Sequence, residues 1–240
     1  MADVHGNADA LKAVLTDIKI EGVDHIINLG DHFSGPLDAH GTGELLLESN
    51  MISICGNHDR LLLEQAVDEM GPSDRVAALQ LNKYHSEWLE ALPASLTIDK
   101  DIYACHGTPE NDLTYWMETV RSDGSTGMAD KEHIEANAGD IDAGLLLCGR
   151  THIPRVVRLT DDRLLLNPGS VGCQAYDDTT PVYHIMQTGI PDAFYAIAHR
   201  HQNQWSVTIK HVPYDSSRMV AMAQKNNRPG WASAVATGWL

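Results

Sequence analysis

The feature that most constrains this chain is Gly56-Asn57-His58-Asp59, placed directly after the apolar run 51–55. Four other segments repeat its layout: Asp3-Val4-His5-Gly6-Asn7, Gly30-Asp31, His106-Gly107 and Cys148-Gly149-Arg150-Thr151-His152. In each, a polar side chain able to hold a metal stands where an apolar run gives way to a Gly-containing loop. Strands of an α/β sheet end in this way, and ligands gather at their carboxyl ends. Tips carrying Asp, His, Asp, Asn, His and His, in that order, predict a binuclear metal centre assembled from separate strand ends.

The hydrophobic periodicity supports that layout. Helices are expected over 8–20, 43–49, 60–70, 73–91, 112–120, 131–136 and 216–225. Strands are expected over 24–29, 51–55, 95–98, 102–105, 143–148, 156–159, 164–166, 182–186, 194–198 and 205–212. A Gly/Ser-rich loop over 122–127 is expected to be mobile. The first half thus reads as βα units and the second as hairpins, which two stacked sheets flanked by helices satisfy within a single domain spanning 1–240. A chain of 240 residues is long enough to bury a core of that size.

Each tip has a bland reading beside the chemical one. Asp3 and His5, one residue apart on extended backbone, face the same way and could share a cation, or simply open a polar loop. Asp31 is free to bridge two ions, which two-metal hydrolases hold about 3.5–4 Å apart, or caps a turn. The Asn57 amide oxygen is a neutral ligand, His58 can face substrate, and Asp59 can orient His58; alternatively Asn57 caps a helix. His106 and His152 complete the set. The cysteines before three of the tips, Cys55, Cys105 and Cys148, read as small buried groups.

The charge balance narrows the function. A formal net charge of −16 without a Lys/Arg cluster argues against stable nucleic-acid binding, and an anionic substrate would need local positive charge, which bound metal could supply. No apolar run reaches the length of a membrane span, and no signal peptide opens the chain. The four cysteines show no close pairing, so a reducing, cytoplasmic setting is expected. The oligomeric state is left open.

The ordered set Asp3/His5, Asp31, Asn57/His58/Asp59, His106 and Gly149-Arg150-Thr151-His152, followed by Asn167-Pro168-Gly169-Ser170, resembles the calcineurin-like metallophosphoesterases, in particular small bacterial phosphodiesterase-type members. The resemblance implies an α/β fold, a four-layer αββα sandwich of two mixed β-sheets flanked by helices. It implies Asp3, His5, Asp31 and His152 around one metal and Asp31, Asn57 and His106 around a second. His58 would be the general acid or a phosphate-contacting residue, supported by Asp59, in hydrolysis of a small phosphomonoester or phosphodiester by in-line attack of a metal-bound hydroxide. The nitrogen and oxygen ligands suit Mn, Fe, Ni or Zn.

Two departures from the pattern bear on that expectation. Only Met1-Ala2 precede Asp3 where the family has a full first strand, so that strand is apparently missing and Asp3 is expected at a frayed end. Arg150 stands where the family has a histidine ligand, and arginine does not ligate metals. One tight and one weak or absent metal are therefore expected, with Arg150 gripping phosphate instead. The alternative is an impaired member that binds phosphate compounds or a protein partner without turnover.

Overall fold

Apolar residues on one face of the first helix draw the N-terminal half together. In the computed structural model, which describes residues 1–202 and 204–240, α1 (Ala8–Glu21) buries Ala10, Leu11, Val14 and Ile18, one helical stripe. The Asn7 side chain caps its start, accepting from the Ala10 amide at 3.1 Å, and Gly22 closes it in the left-handed conformation. The short strands β1 (Ile27–Asn28) and β2 (Ile52–Ser53) pair in parallel, with α2 (Ala39–Glu48) between them in sequence. Then follow α3 (Asn57–Glu64), α4 (Pro72–Ala78) and α5 (Lys83–Glu90).

The single helix expected over 73–91 is two. Asn82 sits in extended backbone and its side chain accepts from the amides of Tyr84 and His85, so a capping side chain ends one helix and starts the next.

The middle of the chain is a mixed sheet. Strands β3 (Ser95–Ile98) and β4 (Ile102–Cys105) form a hairpin. A second hairpin, β5 (Glu118–Val120) with β6 (Thr126–Met128), precedes α6 (Lys131–Ala138), and β7 (Leu145–Leu147), β8 (Arg155–Arg158) and β9 (Leu164–Asn167) follow. The order is β3-β4-β7-β9-β8, parallel between β4, β7 and β9 and antiparallel at both edges. Two expectations fail here. No helix forms over 112–120, where 112–117 are irregular turns and 118–120 are strand, and the loop expected to be mobile is a closed turn: Arg121 N donates to Ser125 O at 2.9 Å and Gly124 N to Arg121 O at 2.9 Å. Asp123-Gly124 is a hairpin-turn pair, and that local signal outranks the helical spacing before it.

The sheet is covered on both faces. Leu145, Leu147, Leu164 and Leu166 pack with Ala2, Leu29 and Ile54, while Leu146 and Leu165 turn the other way onto Trp116, Ile134 and Ala138. The period of two assigns these faces. A third cluster gathers Leu11, Val14, Phe33, Leu46, Leu89 and Tyr195 under the N-terminal helices. The chain ends with β10 (Ala175–Asp178) and β11 (His184–Gln187), the long hairpin of β12 (Ala193–His201) and β13 (Gln204–Val212), and the helices α7 (Ser217–Lys225) and α8 (Pro229–Thr237). Neither β10 nor α8 is evident in the sequence pattern. No helix among the described residues is long and apolar enough to cross a membrane.

Residues 1–5 are threaded between two segments. The amides of Asp3 and His5 donate to Gly30 O and Asp31 O, both at 3.0 Å, and those of Val171 and Gly172 donate to Ala2 O and Asp3 O at 2.9 and 3.0 Å. Asp3 is accordingly fully buried, not frayed. Beside Met1 a cavity of about 420 Å³ is lined by Ile27, Leu147, Leu166, Ala196, Ala198 and Trp205.

Candidate metal centre

All the predicted tips converge on one point. Asp31 follows β1, Asn57 opens α3 after β2, His106 follows β4 and His152 follows β7, while Asp3 and His5 come from the threaded N-terminal segment. Asp3, His5, Asp31, Arg150 and His152 all have φ between 51° and 72°, a left-handed conformation that disfavours side chains other than glycine. Half of the ten non-glycine residues with positive φ among those described are thus at this site. Backbone strain is concentrated where the chain must aim donors at a common centre. Gly30 and Gly56 allow the two loops to touch: a Cβ on Gly30 would lie 2.6 Å from the Gly56 nitrogen, and one on Gly56 would lie 2.2 Å from Asp31 Oδ1.

The donor atoms fit cations. His5 Nδ1 donates to Ser34 O, His152 Nδ1 to Cys173 O and His106 Nδ1 to Leu29 O, each at 2.7 Å. A carbonyl partner fixes a proton on Nδ1 and turns each Nε2 toward the centre as the atom that takes a metal or a second proton, as in metal-ligating histidines. Nε2 of His5 and of His152 then face each other at 3.1 Å, and His106 Nε2 faces Asn57 Oδ1 at 3.0 Å and Asp31 Oδ2 at 3.2 Å. Lone pairs so disposed repel unless a cation or proton lies between them. Both carboxylate oxygens of Asp3 are buried without a hydrogen-bond partner among the described residues. Oδ1 lies 3.5 Å from His152 Nε2, 3.9 Å from His106 Nε2 and 4.0 Å from His5 Nε2.

Two donor groups result, Asp3/His5/His152 and Asp3/Asp31/His106. Asp3 belongs to both, and Asp31 Oδ2, where the family pattern implies a bridge, lies 3.2 Å from His106 Nε2 and 3.8 Å from His5 Nε2. Two carboxylates, three imidazoles and an amide oxygen form a donor set for divalent transition metals.

His58 stands apart from these groups. Its ring is 33% exposed and its Nδ1 lies 3.2 Å from Asp74 Oδ1 and 3.2 Å from Ser34 Oγ; Ser34 in turn donates a short hydrogen bond to Asp74. Burial opposes a charge on His58, but the Asp31 carboxylate and the bonded Asp74 outweigh it and raise the pKa. The expectation that Asp59 would orient His58 is not met. Asp59 is fully buried and accepts from the amides of Asp31, His32 and Gly56 at 2.8, 2.9 and 3.0 Å and from His32 Nδ1 at 2.7 Å. On the first turn of α3 its side chain reaches back to the helix start, so it ties the Gly30 and Gly56 loops together and leaves His58 to Asp74.

Arg150 forms the opposite wall. Its guanidinium lies 5.1 Å over the Tyr115 ring and its Nη2 3.4 Å from Asp178 Oδ2. Tyr176 donates to Tyr115 at 2.8 Å, and Tyr115 donates to His184 Nε2 at 3.0 Å, because His184 Nδ1 gives its proton to Val182 O. Asp74, Ser34, Tyr115, Tyr176 and Asp178 escaped sequence reasoning, since none adjoins a motif glycine. The cysteines are free and, Cys55 apart, buried; burial pushes the Cys173 thiol up to about 12, which makes it inert.

A third donor group, His40/Glu44/His85, has a structural explanation. The Asn82 amide donates to His85 Nδ1 at 3.3 Å, which keeps the proton on Nε2, where it is given to Glu44 at 2.9 Å.

Comparison with known proteins agrees with this geometry. The sequence profile of the calcineurin-like phosphoesterase superfamily domain matches residues 1–189. An uncharacterised protein of Methanocaldococcus jannaschii is 27% identical over 245 aligned residues, covering 96% of this chain and 93% of that protein. A metallophosphoesterase from Sphaerobacter thermophilus superposes with a TM-score of 0.73 at 27% identity, covering 99% of this chain and 97% of the other. A hypothetical protein from Pyrococcus horikoshii shares the fold, with a TM-score of 0.75 at 19% identity over 99% and 96% of the two chains.

Proposed function

The chain belongs to the calcineurin-like phosphoesterase superfamily, and we propose that it is a metal-dependent phosphoesterase hydrolysing small phosphomonoesters or phosphodiesters. The observation that carries this reading is the convergence of the Nε2 atoms of His5, His106 and His152 with the unpartnered Asp3 carboxylate. Asp3, His5 and His152 would hold one cation, and Asp31, Asn57 and His106, with Asp3 in reach, the other. Divalent ions bound there supply a nucleophilic water at neutral pH and neutralise phosphoryl charge.

The chain's own residues do the rest. His58 stands at the pocket wall with a raised pKa and gives its proton to the leaving oxygen. Asp74 and Ser34 hold its ring and favour the charged form. Arg150, set by the Tyr115 face and Asp178, offers its guanidinium to a phosphate oxygen. The pocket, about 600 Å³, takes a small phosphorylated substrate, and the four reduced cysteines suit a cytoplasmic setting.

The test is metal analysis together with hydrolysis of bis(p-nitrophenyl) phosphate. Metal-dependent turnover that a chelator abolishes supports the proposal. Arg150 in place of a histidine favours a second reading, a phosphate-binding member without turnover; tightly bound metal with no hydrolysis of aryl monoester or diester would select it.

A further inference from the structure

Helix α8 lies beyond the region matched by the family profile, which ends at residue 189, yet its first turn forms part of the pocket wall over the metal centre. Arg228, Pro229, Gly230 and Trp231 line the same cavity as His5, His58 and Arg150. We infer that Arg228 and Trp231 are specificity-determining residues, selecting phosphate esters or phosphoanhydrides whose leaving group carries a second anionic group on a planar or apolar body. The inference rests on the phosphoesterase reading and names the substrate class of that site.

Charge gives the first reason. The chain carries a formal net charge of −16, and Asp31, Asp74, Asp177 and Asp178 line this pocket. Arg150 is already engaged with Asp178 and the Tyr115 ring. Arg228 adds a second cation: its Nε, like that of Arg150, is buried and has no hydrogen-bond partner among the described residues. A desolvated guanidinium nitrogen without an acceptor is unfavourable, and an anion entering the pocket would satisfy it in the forked geometry that arginine offers. Arg150 then meets the phosphoryl group at the metals, and Arg228 meets a further anionic group on the leaving portion.

Trp231 supplies the second reason. It is three residues from Arg228, which places both on one side of the helix start. Its ring meets the His5 imidazole edge-on, with centroids 5.7 Å apart, so an apolar surface lies immediately beside a metal ligand. Gly35 makes room for it: a Cβ there would come within 3.3 Å of the indole Cη2. A planar group leaving the phosphorus finds an aromatic face on one side and a cation a turn away.

The placement is rigid. Ala232 and Val235 of α8 pack on Leu37, Met219 and Ala223. The Arg228 amide donates to Ala223 O at 2.9 Å, and Asn226 Nδ2 donates to Pro36 O at 2.8 Å. The α7–α8 corner is thereby tied to the loop that carries His32 and Ser34, and Arg228 and Trp231 are held where the leaving group must pass. In hydrolysis the water oxygen gives up a proton to solvent and bonds to phosphorus, the bridging P–O bond breaks, the leaving oxygen keeps the electron pair and takes the proton from His58, and His58 regains a proton from solvent.

The test compares kcat/KM for ADP, which carries a second phosphate and a planar base, with that for p-nitrophenyl phosphate, on the full chain loaded with Mn²⁺. Arg228→Met is expected to lower the ADP-to-aryl ratio by about tenfold or more, mostly through KM, in keeping with loss of a buried charge contact. Arg228→Lys should recover part of the ratio, and Trp231→Ala should lower it about fivefold through stacking lost. An equal loss on both substrates, or an unchanged ratio, overturns the inference. If neither substrate turns over, the phosphoesterase reading fails by itself. Calorimetric binding of α,β-methylene-ADP then decides: weakening by about tenfold in Arg228→Met upholds the role of Arg228, and equal affinity or no binding to the unmodified chain overturns it.

Discussion

Replacing Asp59 with Asn separates two roles that its place in Gly56-Asn57-His58-Asp59 leaves open. A carboxylate that oriented His58 would affect turnover and little else. The structure places it under the metal centre, where its two oxygens accept four hydrogen bonds from Asp31, His32 and Gly56, all buried. Asparagine has the same shape but one acceptor. With its oxygen at the Oδ2 position it keeps three partners, and its NH₂ then confronts the His32 amide donor 2.9 Å from Oδ1. Hydrogen bonds to a charged group contribute about 1.5–3 kcal/mol each, and breaking a buried charged network costs about 3–5 kcal/mol in all. At about 2–4 °C per kcal/mol for a chain of this length, Asp59→Asn should lower the Tm by about 6–20 °C in the metal-free protein. It should also weaken metal binding, because Asp31 and Asn57 are on the two loops it joins. Calorimetric melting with and without metal measures both effects. An Asp59→Asn protein with the parental Tm and metal content but a collapsed kcat would show that Asp59 acts on His58 after all.

The other predictions concern the remaining walls of the site. His58→Ala should lower kcat by about 10²–10⁴-fold with metal content unchanged, and Asp74→Asn by about tenfold or more; loss of metal in His58→Ala would make His58 a ligand. Arg150→His should add a second tight equivalent in a calorimetric metal titration, since a cation is replaced by a ligand; two tight equivalents in the unmodified chain would refute the single-metal expectation. In the metal-free protein, burial opposes a proton on His106 but the Asp31 carboxylate prevails and raises its pKa to about 9. Metal entry at pH 7.5 should therefore expel about one proton, and affinity should fall as pH drops below about 9. Titrations in buffers of different ionisation enthalpy read this directly, and zero protons released would contradict it.

What the sequence determined by itself was the list of donors and the family they belong to. Metal chemistry restricts ligands to a few side chains, and strand-end geometry restricts where they stand, so Asp3, His5, Asp31, Asn57, His106 and His152 were legible as an ordered set. The apolar strand over 143–148 and the helical stripe of 8–20 were legible for the same reason: each is a local pattern imposed by backbone geometry. What only the tertiary structure decided was who touches whom. Asp59 was adjacent in sequence to His58, yet the turn of α3 directs it to His32 and the Gly30 loop, while Asp74, sixteen positions along, takes the imidazole. Asp3 Oδ1 lies within 4.0 Å of the Nε2 atoms of His5, His106 and His152, a central placement that its position in the chain does not disclose. Arg228 and Trp231 carried no motif at all, because a pocket wall needs only proximity, and proximity between the C-terminal helix and the Gly30–Gly35 loop follows from how the α7–α8 corner packs on Leu37. Local periods and ligand chemistry can be read along a chain; contacts between distant segments depend on the whole packing arrangement, which no single segment encodes.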